Sequence, residues 1–161
     1  KFIKNINILQ GVSDEPITIH MNTVGGEWSY GMAIYDAIMH CKAEVTIIAY
    51  AWARSMSSII FQAADYRVIM PYACFMVHWG TYADSGHYLT VKSGMEFVSK
   101  TENMMLDIYA KRCVNGQFFK KLNMSEKEVS NYIENKIVAK SDWWLTAEEA
   151  VEYGFADKIG S

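Results

Sequence analysis

Val45-Thr-Ile-Ile-Ala-Tyr-Ala51, then Ala53-Arg54-Ser55-Met56-Ser57-Ser58, then Ile59-Ile-Phe-Gln-Ala-Ala64 is the stretch that decides the fold. An apolar, partly β-branched run enters a turn of small residues, and a second apolar run leaves it. That reads as strand, tight turn, helix, with Ser55 where the helix begins. A serine there presents its hydroxyl at a turn, beside backbone N–H groups that have no partner inside the helix. Those amides and the positive end of the helix dipole suit an anion forming next to the serine oxygen. Downstream, His78 ends the apolar run Cys74-Phe-Met-Val77, and Asp142 opens another, Trp143-Trp-Leu145. A serine, a histidine and an aspartate, each at the edge of an apolar segment, point to serine-hydrolase chemistry.

Outward from this stretch, Pro16 to Asn22 alternates apolar and polar residues as a half-buried strand does. Thr23-Val-Gly-Gly26 is a turn, and Glu27 to Cys41 is a helix with an apolar stripe at Ala33, Ile34, Ala37, Ile38 and Cys41. Tyr66–Met70 and Cys74–His78 read as two short strands around Pro71-Tyr72. Two successive β-turn-α units predict an α/β domain with a parallel sheet. Trp79 to Tyr88 is glycine-bearing and aperiodic, and a long helix is predicted over Thr90–Cys113, stopped by Asn115-Gly116. Ser125-Glu-Lys-Glu128 is a capping box opening a helix to about Val138, and Thr146-Ala-Glu-Glu149 opens a short one that Gly154 ends. Phe155-Ala-Asp-Lys-Ile159 reads as a last strand. The expectation is one core with a helical arm.

At 161 residues, 51% hydrophobic and 20% charged, the chain is expected to be a single domain spanning 1–161. A net charge of −3, with no run of Lys or Arg, gives no reason to expect a nucleic-acid partner. The apolar stretch from Val68 to Val77 is interrupted by Pro71 and falls short of the ~20 residues a membrane span needs. With no signal-peptide pattern, the expectation is a cytoplasmic protein without a membrane partner. Cys41, Cys74 and Cys113 are an odd number at no metal-ligand spacing. They read as reduced, buried thiols, and no metal or cofactor is expected in this chain. The chain opens at Lys1-Phe-Ile-Lys, inside an amphipathic helix, so further residues are expected upstream.

Each candidate has a plainer reading. A serine at a helix start is far more often a cap than a nucleophile. His20, His40 and His87 compete with His78, and Asp142 reads equally as a turn residue before Trp143-Trp144. Gly25-Gly26 is a tight turn or a place where a substrate backbone approaches closely. What joins them is location: all lie at strand ends or helix starts on one edge of the sheet, where α/β proteins build active sites. The chain order Ser…His…Asp differs from those of common hydrolase folds, which geometry makes immaterial.

These motifs resemble a known family. Ile19-His-Met-Asn-Thr-Val-Gly-Gly26 with Gly31 to Ile38 is similar to the Asn-Ser-Pro-Gly-Gly segment and following helix of the Clp protease proteolytic subunit (ClpP) family of serine peptidases. Ala53-Arg-Ser-Met56 resembles its Ala-Ala-Ser-Met nucleophile segment, and Pro71 to His78 resembles its strand ending in the catalytic histidine. Asp142 to Asp157 resembles the segment from the catalytic aspartate through Glu-Ala-Val-Glu-Tyr-Gly. The resemblance runs from about Asn5 to Ile159. It implies the ClpP/crotonase-type β-α spiral, with a protruding helical handle over about 79–140. It makes Ser55 the nucleophile, His78 the general base, Asp142 its orienting group, and the Gly26 and Met56 N–H groups the oxyanion hole. It also implies heptameric rings stacked as a tetradecamer, and unfolded polypeptide substrates. An AAA+ unfoldase partner would be the component that uses ATP.

Departures from the family pattern are Val24 for proline, Arg54 for a small residue, Ser57 for glycine, and Trp79-Gly80 for Gln-Pro. Arg54 and Trp79 are expected to add bulk near the substrate groove. The interval of 64 residues from His78 to Asp142 exceeds the family's, with the excess expected as an added handle helix over about 117–139 that either alters ring stacking or holds Asp142 off His78 until assembly. Three rival readings are a silent structural ring subunit, a crotonase-type acyl-CoA enzyme and a membrane signal-peptide peptidase relative. They are met, respectively, by the intact triad, by the serine itself, and by the missing serine–lysine pair and membrane span.

Overall fold

The strand predicted from Val45 runs on to Arg54, and the rest of the molecule is arranged on it. The structure, a computed structural model, describes residues 1–161. In chain order the elements are α1 (Phe2–Val12), β1 (Ile17–Thr23), α2 (Trp28–Met39), β2 (Val45–Arg54), α3 (Met56–Phe61), β3 (Tyr66–Ile69) and β4 (Cys74–Val77). They continue as α4 (Tyr88–Cys113), α5 (Gln117–Lys121), α6 (Glu126–Lys140), β5 (Trp143–Leu145), α7 (Ala147–Glu152) and β6 (Lys158–Ile159).

β1 lies parallel along one edge of β2, with Ile17 opposite Val45. The other edge holds two strands in succession, β3 against Thr46–Ala49 and β4 against Trp52–Arg54, both parallel. Pairing with β4 carries β2 past Ala51, where propensity alone ends it. β6 extends β3. The sheet departs from all-parallel at one edge, because β5 runs antiparallel to β4. The chain arriving from α6 reaches β4 at the end where His78 stands, so the strand has to run back along it.

On the inner face Val45, Ile47, Ala49 and Ala53 are fully buried, the alternation a one-faced strand requires. Phe61, Phe75, Phe155 and Tyr109 fill the space beneath, with ring centroids 5.0–6.1 Å apart. Burial of each such side chain contributes about 1.5–3 kcal/mol. Phe155 and Ala156 turn into this core, which leaves only Lys158 and Ile159 to pair as the last strand. The three cysteines are free, but only Cys113 is buried; Cys41 lies half-buried at the margin of the core, and Cys74 half-buried in register with Trp52.

α4 is 26 residues long, and its buried positions all fall in its second half, from Met105 to Cys113. The first half stands clear of the core, with Met95 and Phe97 more than half exposed. Residues 117–139 do form helices, but not as an addition to that arm. Phe119, Val129, Ile133 and Ile137 are fully buried within the main core. These side chains decide the matter: α6 with a stripe of three and α5 with Phe119 lose too much by standing in water. No helix of the chain is long and apolar enough to cross a membrane.

One half-buried ion pair, with Arg67 inside and Asp157 at the solvent margin, ties the C-terminal strand to the sheet. The Arg67 guanidinium donates to both Asp157 oxygens, to Gln62 Oε1 and to the carbonyls of Gly154 and Phe155. Burial pushes the Asp157 pKa up, but the Arg67 hydrogen bonds and charge outweigh it and hold the carboxyl below its ordinary value. Removing Arg67 leaves Gln62 Oε1 and the Gly154 and Phe155 carbonyls short of a donor, so Arg67→Met is expected to cost about 1–3 kcal/mol in chemical denaturation. Because the folded pKa of Asp157 is lowered, its contribution is complete above about pH 4 and is lost as pH falls through the folded value. The stability gap between the protein and Asp157→Asn should therefore narrow on acidification, measured by urea titrations across that range.

Candidate active site

Strand direction gathers the site. β2 and β4 are parallel, so Ser55 and His78, one residue beyond each, emerge side by side at the same edge. β5 runs the other way, so Asp142, which precedes it, stands at that edge too. Ser55 Oγ donates to His78 Nε2 at 2.7 Å, and His78 Nδ1 donates to Asp142 Oδ1 at 3.0 Å. An ionised carboxylate only accepts, so it fixes the proton on Nδ1 and leaves Nε2 as the acceptor for the hydroxyl. The long interval does not hold Asp142 off His78 within the single chain. α5 and α6 absorb it, and Ser141, at φ 63°, turns the chain back into β5.

Ser55 does not cap α3. Its backbone sits at φ 53°, ψ −127°, and its side chain makes no bond to the helix amides. A conformation of that kind costs about 1–3 kcal/mol and persists only where neighbours over-determine it. Here the Ser55 N–H donates to Met76 O at 3.0 Å, and Ser55 O accepts from Ser58 Oγ at 2.6 Å. Ser58 Oγ also shares a hydrogen bond with Tyr109 OH at 2.7 Å, tying the turn to α4. Burial pushes the Tyr109 phenol well above its usual range, so it stays protonated. Nothing in the sequence singles out Ser58 and Tyr109; the one trace is a pair of serines, Ser57 and Ser58, opening an apolar helix.

Gly25 stands against this turn at φ +100°, and a Cβ there would lie 2.8 Å from both Arg54 O and Ser55 Cβ. No L side chain fits. Gly26 faces open space, its N–H has no partner in the chain, and Met56 N–H is the first amide of α3. Both residues line one cavity with Ser55 and His78. Gly31 of α2 makes room for the Met56 side chain, since a Cβ there would lie 2.1 Å from Met56 Cγ. The other histidines are engaged elsewhere. His20 bonds Tyr50, His40 bonds Asp36 O, and His87 caps α4.

The cavity is about 840 Å³, walled by Met95, Phe97, Val98 and Met105 of α4 on one side and by the segment after His78 on the other. Its charged lining is Glu27 and Glu102, with no Lys or Arg. Glu27 spends its carboxylate on Ser29 and on the Tyr30 amide, which holds its pKa below the usual value. Burial, and then Glu134, push the Glu102 pKa up. Of the two bulky departures, Trp79 lines the cavity and Arg54 does not. Arg54 points to the opposite face of the sheet because Trp52 and Trp144 receive it there, 5.1 and 4.9 Å from the ring centroids.

Hydroxyl, imidazole and carboxylate in one hydrogen-bonded line at the mouth of a cavity is the arrangement of the serine-hydrolase class. The chain belongs to the Clp protease family, whose model matches residues 1–161. It is similar to the ATP-dependent Clp protease proteolytic subunit of Deinococcus radiodurans, 27% identical over 148 residues, which are 91% of this chain and 65% of that one. The subunit of the same name from Streptococcus pneumoniae is 30% identical over 151 residues, 91% of this chain and 69% of its own. The chain thus spans 65–69% of the length of these relatives. A mutant ClpP1 from Listeria monocytogenes superposes with a TM-score of 0.81 at 22% identity, covering 99% of this chain and 82% of that one. The fold is the ClpP-type β-α spiral.

The two adjacent glycines are expected to behave differently. Gly25→Ala should lose on the order of 1–3 kcal/mol of stability through its positive φ and the clash with the Ser55 turn. Gly26→Ala should stay within about 0.5 kcal/mol of the parent. Thermal melts of the two variants check this.

Proposed function

We propose that this chain is a self-compartmentalised serine endopeptidase that cleaves peptide bonds of unfolded polypeptides through an acyl-enzyme. The observation that carries the reading is the line Ser55–His78–Asp142, with 2.7 and 3.0 Å separations, opening on a peptide-sized cavity. Ser55 Oγ adds to the scissile carbonyl carbon as its proton passes to His78 Nε2, and Asp142 balances the imidazolium. The oxyanion meets the Gly26 and Met56 amides, each worth about 3–4 kcal/mol to the transition state. Collapse expels the amine, which takes the proton from Nε2 and leaves an ester on Ser55. Water then repeats the sequence with His78 as base, releasing the acid and restoring Ser55.

The apolar wall and the carboxylates at its margin suit extended segments bearing apolar or cationic side chains. The working form in this reading is a homo-oligomer of heptameric rings stacked as a tetradecamer, cytoplasmic, fed by an AAA+ unfoldase that uses ATP. Support for assembly comes from exposed apolar residues in two places, Ile8, Leu9 and Val12 on α1 and Met95 and Phe97 on the free half of α4.

Turnover of a fluorogenic peptide by the assembled protein is the test. Ser55→Ala should remove about a million-fold of activity. Light scattering should still find an oligomer of at least fourteen copies of 18.4 kDa. Asp142→Asn should cost about ten-thousand-fold by allowing the wrong histidine tautomer. An Asp142→Asn enzyme as active as the parent would remove the aspartate from the mechanism. A correctly assembled but inert parent would leave the silent ring subunit as the better reading.

A further inference from the structure

Arg54, one residue before Ser55, faces away from the cavity and lies in a row that crosses three strands. The register sets Arg54 of β2 opposite Met76 of β4, and Met76 opposite Trp144 of β5. Residues in register share a face of the sheet, and Trp52, two residues before Arg54, shares it too. On that face the guanidinium lies over both the Trp52 and Trp144 rings, 5.1 and 4.9 Å from their centroids, which are 6.0 Å apart edge to face. Met76 in the middle of the row is only 2% exposed, although it is outside the main core. What roofs it is this canopy of two indoles and a guanidinium. No carboxylate pairs with Arg54, and its buried Nε has no acceptor, so the aromatic faces are its partners.

The three strands so joined are the ones that carry Ser55, His78 and Asp142. β5 is the weakest of them: three residues, paired to β4 alone. The Asp142 side chain is 49% exposed, and its carboxylate bonds nothing but His78. Its place is therefore set by β5, which Trp143 anchors from the core side and Trp144 from the outer side.

We propose that Arg54 is a positioning residue: packed over both Trp52 and Trp144, it locks β5 to β2 across β4 and so keeps Asp142 on His78 and His78 on Ser55. The proposal rests on the peptidase reading above. Arg suits the place because a planar, weakly hydrated guanidinium packs on aromatic faces, which a compact, strongly hydrated ammonium does less well.

The test is a double-mutant cycle on the assembled protein with a fluorogenic peptide, separating kcat from KM. Arg54→Met and Trp144→Leu should each lower kcat by about ten-fold or more with KM changed less than about two-fold, the pattern of a lost transition-state arrangement. Arg54→Lys and Trp144→Phe, which keep a charge or a ring, should recover part of the loss. On an Asp142→Asn background, assayed at high enzyme concentration, the same substitutions should cost less than about two-fold, because what they position is already disabled. An equal fold-loss on both backgrounds, or parental kcat in Arg54→Met, overturns the proposal. If Arg54→Met does not assemble, the cycle run with Arg54→Lys and Trp144→Phe decides by the same criterion. Failure of the peptidase reading has a different signature, a correctly assembled parent that turns over no peptide.

Discussion

The structure depends on one pairing, the parallel register of β4 on the last three residues of β2. Without it β2 would end near Ala51, and Ser55 would begin an ordinary helix in an ordinary conformation. With it, Trp52, Ala53 and Arg54 stay extended, and the Ser55 amide is fixed to Met76 O. The chain has then to reverse into α3 within one residue, which drives Ser55 to positive φ. The same pairing sets the end of β4 beside that turn, so a histidine one residue beyond the strand meets the serine hydroxyl. Strand direction supplies the third member, because an antiparallel neighbour of β4 has to begin where β4 ends.

Strain at the turn is met from several sides. Gly25 gives the space, Ser58 and Tyr109 brace the Ser55 carbonyl from α4, and Gly31 admits Met56. Since α4 also walls the cavity, the helix that shapes that cavity is hydrogen-bonded to the turn that carries Ser55. A displacement of the arm at its base would therefore be felt at Ser55.

Much of this was readable in the chain itself, and for physical reasons. β1, β2, α2 and the two capping boxes follow from local periodicity and local side-chain chemistry, and both boxes form as written at Ser125 and Thr146. What local patterns hide is set by distant partners. β2 outruns its expected end because of β4. The segment 155–157 is core and ion pair rather than strand, because Arg67 and the aromatic cluster compete for it. β5 is too short to show any alternation. The helices over 117–139 were visible, but whether they stood out as an arm depended on where Phe119, Val129, Ile133 and Ile137 find a partner. Arg54 shows the same limit: its bulk was plain, its direction was not, since that is decided by Trp144 ninety positions away.

The account stands on Ser55 as the nucleophile and on the Gly26 and Met56 amides as the oxyanion's partners. A crystal structure of the assembled protein after reaction with a fluorophosphonate tests this most directly. The expected result is phosphorus bonded to Ser55 Oγ, with its unesterified oxygen about 2.7–3.1 Å from both amides. An assembled protein whose Ser55 stays unmodified, or whose adduct turns that oxygen away from Gly26 and Met56, would contradict it.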